Sequence, residues 1–317
     1  MKLFAFLAKR EKPDLFAMGF TTCLILMVST NNLISIYKQL NNTENSEIEN
    51  EKSSQTTVYG VLIIGLFFLF NVVGNLYRAM TTDTSIYSLV LPVILLRDWK
   101  YCSFCEQNSP PRAFHCFSCR RCVLKRHNHC MFMGTCAGLR NMRFYLLFMV
   151  HVWLGLLVSI YINWQYYVDF VHTFDFKHVF IFFMPLFAFA LGIIGLYELF
   201  ISFTNAINVI LSLLLFFYML INFIMAARNQ TWHERAKLID TYDLGWKQNL
   251  IETFGYNWFQ ASVNPFALIR LPSNGTSYMT KAHSAVNYNV DEAQTVIIND
   301  STTSHRRRDF NTNTNII

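Results

Sequence analysis

Apolar residues along this chain come in long runs, not in the alternation of a strand or the narrow stripe of a surface helix. A membrane-spanning helix needs roughly 20 consecutive apolar residues. "LFAMGFTTCLILMVSTNNLISIY" (15–37), "VYGVLIIGLFFLFNVVGNLY" (58–77) and "FYLLFMVHVWLGLLVSIYINW" (144–164) each meet that length. Residues 178–226 are almost continuously apolar and are interrupted only near "YELFISFTNA" (197–206), which is too much chain for one span. The first run is too long for a cleaved signal and has no small-residue cleavage site, so it reads as a retained anchor.

Lys and Arg near the ends of apolar runs mark the cytosolic side. Lys2, Lys9, Arg10 and Lys12 put the N-terminus there, and Arg78, Arg97 and Lys100 return residues 78–143 to it. Loop 38–57 is acidic and holds the sequon Asn41-Asn42-Thr43, as suits a lumenal loop. Arg228, Arg235 and Lys237 make the C-terminal part cytosolic, so the chain must cross twice between 143 and 227. The expectation is that 144–164 and 204–226 cross, while 178–200 is a re-entrant or lumen-side apolar helix. Five spans with a lumenal tail are the alternative, and the basic flank opposes it.

The fold class is thus an α-helical polytopic membrane protein of about four transmembrane helices, with a cytosolic domain between the second and third. The expected division is a cytosolic N-terminus (1–14), two membrane helices and a lumenal loop (15–80), a cysteine-rich domain (81–143), C-terminal membrane helices (144–226), a cytosolic C-terminal region (227–271) and a disordered tail (272–317). That tail is rich in Ser, Thr and Asn and lacks apolar periodicity. Its sequons at Asn274 and Asn299 would lie unused on the cytosolic side.

Composition agrees. The 317 residues are 53% hydrophobic and 15% charged, against about 25% charged in soluble domains. Mean hydropathy is +0.27. The net charge of +6 comes from scattered loop residues and forms no basic stripe, so nucleic acid is not an expected partner.

Seven of the eight cysteines fall between 102 and 136; the other, Cys23, sits in the first apolar run as a small apolar residue. Thiols stay reduced in the cytosol, so clustering points to metal before disulfides. The potential ligands in order are Cys102, Cys105, His115, Cys116, Cys119, Cys122, His127, His129, Cys130 and Cys136. Cys102/Cys105 and Cys116/Cys119 are CxxC knuckles, and structural zinc takes four such ligands. Two closed sites use eight of ten candidates and leave two over. A thiol left uncoordinated beside Lys125 and Arg126 has the surroundings of a low-pKa nucleophile.

The stretch "CSFCEQNSPPRAFHCFSCRRCVLKRHNHCMFMGTCAGLRNMRFY" resembles the DHHC-type zinc-finger protein S-acyltransferases, or palmitoyltransferases, at every cysteine and histidine spacing. Also shared are the "PPR" before His115, the run Gly138, Asn141, Phe144, and the place between the second and third helices. "TWHE" (231–234) resembles the family's TTxE, with Trp232 for the second Thr, and Asn249, Phe254 and Gly255 resemble its C-terminal motif. The family's DPG motif is replaced by "TTDTS" (81–85).

The resemblance implies two structural zinc ions, one on Cys102, Cys105, His115 and Cys122 and one on Cys116, Cys119, His129 and Cys136. It makes Cys130 the nucleophile. It also implies long-chain acyl-CoA as co-substrate, membrane-associated proteins with cysteines as acceptors, and a multi-pass protein of the endoplasmic reticulum or Golgi. The family's motif places an Asp and a His where this chain has His127 and Asn128. An amide accepts no proton usefully, so the usual base is absent.

Three readings follow. Cys130 is activated by nearby cations or by His127 as a relocated base; or the protein charges slowly and transfers poorly; or it is a pseudoenzyme that binds substrates or partner transferases. Lys125, Arg126, Arg140 and Arg143 are candidates to hold CoA phosphates, or are simply membrane-surface anchors. From a different class, a membrane-anchored zinc-binding adaptor would share the ligands but take no acyl group. An ion transporter would need ionisable groups within the spans, and only Glu198 and Asp169 are notable acids there.

Overall fold

The structure is a computed structural model that describes residues 10–44, 48–164, 166–168 and 176–282. Residues 1–9, the centre of the 38–57 loop, Asp169 and the tail from 283, with its sequon at Asn299, lie outside the described residues. The described elements begin with α1 (Lys12–Glu44) and α2 (Ile48–Thr81). Three hairpins follow: β1 (Lys100–Cys102) with β2 (Gln107–Ser109), β3 (Phe114–Cys116) with β4 (Arg121–Val123), and β5 (Asn128–Cys130) with β6 (Thr135–Ala137). Then come α3 (Met142–Ile162), α4 (Phe176–Phe183), α5 (Pro185–Ala190), α6 (Leu196–Ala227), α7 (Trp232–Ala236), α8 (Trp246–Phe254) and α9 (Trp258–Val263).

Among the described residues four helices, α1, α2, α3 and α6, are long and apolar enough to cross a membrane. The expected fold class holds, with the cysteine-rich region between the second and third spans. Stretch 178–200 is broken. Pro185 opens α5 and has no N–H to continue α4, so α4 ends at Phe183; as described, α4 and α5 have 8 and 6 residues. At 1.5 Å per residue, neither exceeds about 12 Å. The fourth span starts earlier than the apolar pattern suggests, at Leu196, because the polar residues of "YELFISFTNA" sit inside the helix and not at a break.

Other polar residues within the spans have partners across the bundle. Ser159 on α3 donates to Asn32 on α1 (2.7 Å) and accepts from Asn208 on α6 (2.7 Å). Asn163, just past α3, accepts from Asn31 (3.3 Å) and Ser35 (2.7 Å) and donates to Asn32 (3.1 Å). Lipid tails supply no hydrophobic drive between helices, so such amide and hydroxyl pairs fix which faces meet. Meanwhile Leu26, Ile63, Leu66, Leu214 and Phe217 are exposed, as lipid-facing positions require.

The C-terminal segment folds back onto the opposite end. Thr231 caps α7, accepting from the Glu234 N–H while the Glu234 carboxylate accepts from the Thr231 N–H. Asn249 on α8 donates to the last carbonyl of α6, at Ala227 (2.8 Å), and accepts from the Leu244 N–H. Gly74 on α2 makes room for Pro265, since a Cβ there would meet the proline ring at 2.4 Å. The chain stays packed beyond 272: Tyr278 lies on the Arg112 guanidinium (4.9 Å) and Lys281 N–H donates to Thr241 (2.9 Å). A composition count registers the polar residues of 272–282 but not one well-placed aromatic.

Replacing Asn163 by Leu should loosen the α1–α3 contact. Interhelical bonds in membranes average about 0.6 kcal/mol each, so a loss of about 1–2 kcal/mol is expected in detergent unfolding. Unchanged stability would remove the network's structural role.

Candidate functional site

The hairpins have only three residues per strand, and isolated hairpins of this size are marginal at best. What they share is a repeat of 14 residues. Cys102, Cys116 and Cys130 each end a first strand, and Glu106, Arg120 and Gly134 each take positive φ four residues on (52°, 53° and 59°). His115 and His129 match in the same way, as do Cys122 and Cys136.

Successive strand residues face opposite ways, so His115 and its neighbour Cys116 serve different groups. His115 and Cys122, paired across β3–β4, converge on Cys102 and Cys105 of the preceding hairpin. His129 and Cys136, paired across β5–β6, converge on Cys116 and Cys119. Within each group all ligand atoms lie within 4.8 Å of one another.

The sulfurs of Cys105 and Cys122 are 3.8 Å apart, as are those of Cys119 and Cys136. The His115 and His129 Nδ1 atoms stand 3.3–4.0 Å from their group's sulfurs. A zinc ion with Zn–S of about 2.3 Å implies tetrahedron edges of about 3.8 Å, so the donor set and spacing fit. Each histidine has its other nitrogen free for support. His129 Nε2 meets the carboxylate of buried Asp14 at 3.1 Å, the outer-shell arrangement usual for metal-bound histidine. His115 is flanked by Phe104 and Phe117 at 5.0 and 5.2 Å.

The third hairpin repeats the knuckle as Cys130-x-x-Met133, and among the described residues no further hairpin follows to supply a histidine and cysteine. Cys130 is in neither group. It packs against the apolar cluster formed by the cytosol-expected ends of α2 and α3, with Tyr145 and fully buried Met133. Burial pushes its thiol above the ordinary range, while the N–H groups of Met133 and Phe132 pull the other way.

Asn128 shares the Cys130 face of β5, two residues away. His127 does not join them. Its Nε2 is 2.9 Å from Asn222 Oδ1 on α6, and its ring lies 6.1 Å from Trp232. Burial holds this imidazole neutral, with its pKa down to about 4. Two of the departures from the family pattern, His127 and Trp232, are therefore neighbours in space.

Of the basic candidates, Lys125 is half-buried in a small cavity with Glu252, Thr231 and His127. Burial, and then Arg112, push its ammonium down to about 7, with Glu252 and Glu234 opposing. Arg143 donates to the Ile269 carbonyl and lies on the Phe144 ring, so it is already engaged in packing.

The "PPR" and "TWHE" motifs meet. Arg112 makes a bidentate pair with Glu234 (2.7 and 2.8 Å), donates to the Asn229 carbonyl and side chain, and lies 4.1 Å from the Tyr242 ring. Both charges are almost wholly buried. Burial raises the Glu234 carboxyl, but the Arg112 contacts outweigh it and hold the group below the ordinary range. Asn141 ties the hairpins to the membrane helices, donating to the Ala79 and Cys136 carbonyls and accepting from Gly138 N–H. Gly138 itself has no room for a Cβ, which would come within 2.7 Å of the Leu124 carbonyl.

Sequence reasoning missed Asp14, since only basic residues were counted at the N-terminus. It missed Asn222 as well, because nothing in a membrane run singles out one polar residue. It also read the knuckles as separate motifs, although the 14-residue period was visible.

Four apolar spans carrying two adjacent Cys3His groups and one leftover thiol at the membrane end define a polytopic membrane protein with a cysteine-rich, metal-ligating domain. Residues 96–239 match the model of the DHHC palmitoyltransferase domain. The human protein named probable palmitoyltransferase ZDHHC24 is 29% identical over 231 residues, covering 70% of this chain and 78% of that protein. Probable protein S-acyltransferase 12 of Arabidopsis thaliana is 31% identical over 157 residues, 49% of this chain and 50% of the relative. Palmitoyltransferase ZDHHC22 of Danio rerio is 26% identical over 251 residues, 73% and 87% of the two chains. Residues 96–239 are thus a DHHC palmitoyltransferase domain, with HNHC where the motif stands.

Replacing Glu234 by Ala should cost about 3–5 kcal/mol, because it strands a buried guanidinium. The unfolding midpoint in detergent reads this, and adding Arg112→Met should recover part of the loss. Because the folded carboxyl titrates below its unfolded value, the pair's stabilisation is full above the ordinary carboxylate range and fades as pH falls through it.

Proposed function

We propose that this protein is a protein S-acyltransferase that moves a palmitoyl-type group from acyl-CoA, through a Cys130 thioester, to cysteines of membrane-associated proteins. The observation that carries the reading is the position of Cys130: outside both metal groups, at the junction of the third hairpin and the membrane helices. An apolar cavity between α1, α2 and α3 supports it, with a lining suited to an acyl chain; Phe148 lines that cavity and also packs in the cluster that contacts Cys130. The eight ligands would hold two zinc ions whose role is structural. The cysteine-rich domain and residues 227–271 face the cytosol, where acyl-CoA is dissolved, and the membrane is that of the endoplasmic reticulum or Golgi.

In the first step the Cys130 thiolate attacks the thioester carbonyl and CoA leaves. His127, with its Nε2 held by Asn222 and its charge suppressed by burial, is poorly placed to take the thiol proton. The thiol therefore ionises by losing its proton to solvent, and the rate should rise with pH above neutrality. The same observation favours the second reading, a slow or silent member of the family acting as a zinc-binding adaptor.

Purified protein given radiolabelled palmitoyl-CoA should take up a hydroxylamine-labile label that Cys130→Ser abolishes; absence of label selects the adaptor. Metal analysis should find two zinc ions per chain. Cys105→Ser should lose one and unfold the hairpins, because closed sites contribute folding energy directly. Restoring the family pattern with His127→Asp plus Asn128→His should speed acyl-enzyme formation, since general-base help is worth about 10²–10⁴-fold. No gain in a folded, zinc-loaded double variant would show that the pocket has adapted to its own residues.

A further inference from the structure

A second apolar cavity, of about 810 Å³, lies between α3 and the C-terminal helices α8 and α9. That is within the size range of small-molecule sites. Its α3 wall is Leu147, Val150, His151 and Leu154, one stripe at helical spacing. Two polar side chains within the walls are already bonded inside their own helices. His151 Nδ1 is 2.8 Å from the Leu147 carbonyl, and Ser262 donates to the Trp258 carbonyl (2.9 Å). The interior therefore suits hydrocarbon. Trp246, Lys247 and Trp258 also line the cavity and are exposed, as amphipathic side chains at a membrane–water interface are. The cavity proposed above for the acyl chain opens instead on Phe148, about 100° round α3 from Leu147.

One turn before Leu147, the same stripe begins with Arg143. Arg143 is 6% exposed; it gives one N–H to the Ile269 carbonyl (2.9 Å), and its Nε–H has no partner. Arg78, in the last turn of α2, lies against the same Phe144 ring, 5.0 Å from its centre where Arg143 is at 4.5 Å. Its Nε–H is likewise buried and unpaired. Among the described residues no carboxylate pairs with either guanidinium or with Lys247. Ile269 also closes on the cavity wall, since a Cβ on Gly255 would meet its side chain at 2.5 Å. Two like charges against one ring, with unspent donors, call for an anion. A hydrocarbon slot leading up to them calls for an amphiphile. We propose that this cavity binds one anionic phospholipid of the cytosolic leaflet, with a chain along Leu147–Leu154 and its headgroup facing Arg143, Arg78 and Lys247.

The apolar part of the site does not select among lipids, because lipid tails are as apolar as its walls. Selection falls to the bases. Each Lys or Arg near an anionic lipid strengthens binding by about fivefold. A guanidinium also meets phosphate oxygens through two N–H groups at once. The bound lipid fastens α8 to α3 where Leu250 and Phe254 join the cluster that Cys130 packs against. None of this requires acyl transfer, so the site stands or falls apart from the acyltransferase reading.

The test is native mass spectrometry of the full chain in an uncharged detergent, with phosphatidylserine or phosphatidylcholine titrated in and melting followed in parallel. One phosphatidylserine per chain should be retained, at least about tenfold more tightly than phosphatidylcholine. Lys247→Gln should weaken phosphatidylserine binding by about fivefold, and Arg143→Gln by more. Val150→Trp should fill the cavity and weaken both lipids. Equimolar palmitoyl-CoA or excess inorganic phosphate should not displace phosphatidylserine. Equal retention of the two lipids, or wild-type affinity in a folded Arg143→Gln variant, overturns the proposal. If that variant does not fold, wild-type phosphatidylserine binding in both Lys247→Gln and Val150→Trp overturns it. Displacement by palmitoyl-CoA gives the cavity to the co-substrate, displacement by inorganic phosphate leaves only an anion site, and either result overturns the phospholipid. A chain that takes no acyl label at Cys130 yet retains phosphatidylserine removes the acyltransferase reading and upholds this one.

Discussion

Everything at the membrane end of this protein depends on eight side chains having to meet at two points. The hairpins have three-residue strands and almost no apolar interior of their own. Each group takes its two knuckle cysteines from one hairpin and a histidine and cysteine from the next, so a bound ion would stitch successive hairpins together. The stitching also sets the position of Cys130. It stands where a knuckle cysteine belongs, but at the last hairpin, where the series ends. A position of the ligand type, built by the same local geometry, is thereby left chemically available.

A second set of contacts decides where that assembly sits. The Arg112–Glu234 pair joins the hairpins to the segment after the last span, Asn141 joins them to α2 and α3, and Asn222 on α6 reaches His127. These are directional polar contacts with their partners buried, and they hold to fixed geometry in a way that apolar packing does not. The amides and hydroxyls at the far end of the bundle do the same for helix order. The long apolar faces between the two ends supply burial and leave room for a cavity lined almost wholly by hydrocarbon.

The spans, the place of the cysteine-rich domain and the family were legible because each is written in a strong local code: run length for helices, spacing for ligands. Hydropathy could not show that Pro185 cuts 178–200 into two short helices while α6 absorbs "YELFISFTNA", since both outcomes have the same average. The replaced motif pair was visible as letters, but its meaning was not. That His127 turns toward Asn222 and Trp232, while Asn128 stays on the Cys130 face, depends on contacts 95 and 105 residues away in sequence. The packing of 272–282 went unread for the same reason, because Tyr278 packs on a guanidinium more than 160 residues upstream.

That last contact bears on how the chain is made. Synthesis runs from the N-terminus, so the hairpins and their arginine emerge well before Glu234, Tyr242, Pro265 and Tyr278 exist. Until the ribosome has finished those residues, Arg112 has no carboxylate and Gly74 has an open notch. The hairpins must therefore wait, ligated or not, in water at the membrane surface, and they take their final seat only when the segment after α6 closes over them. A message truncated after the last span would yield a protein with every cysteine and every membrane helix in place, yet with a bare buried-type cation at its centre, and cellular quality control would meet it as an unfinished molecule.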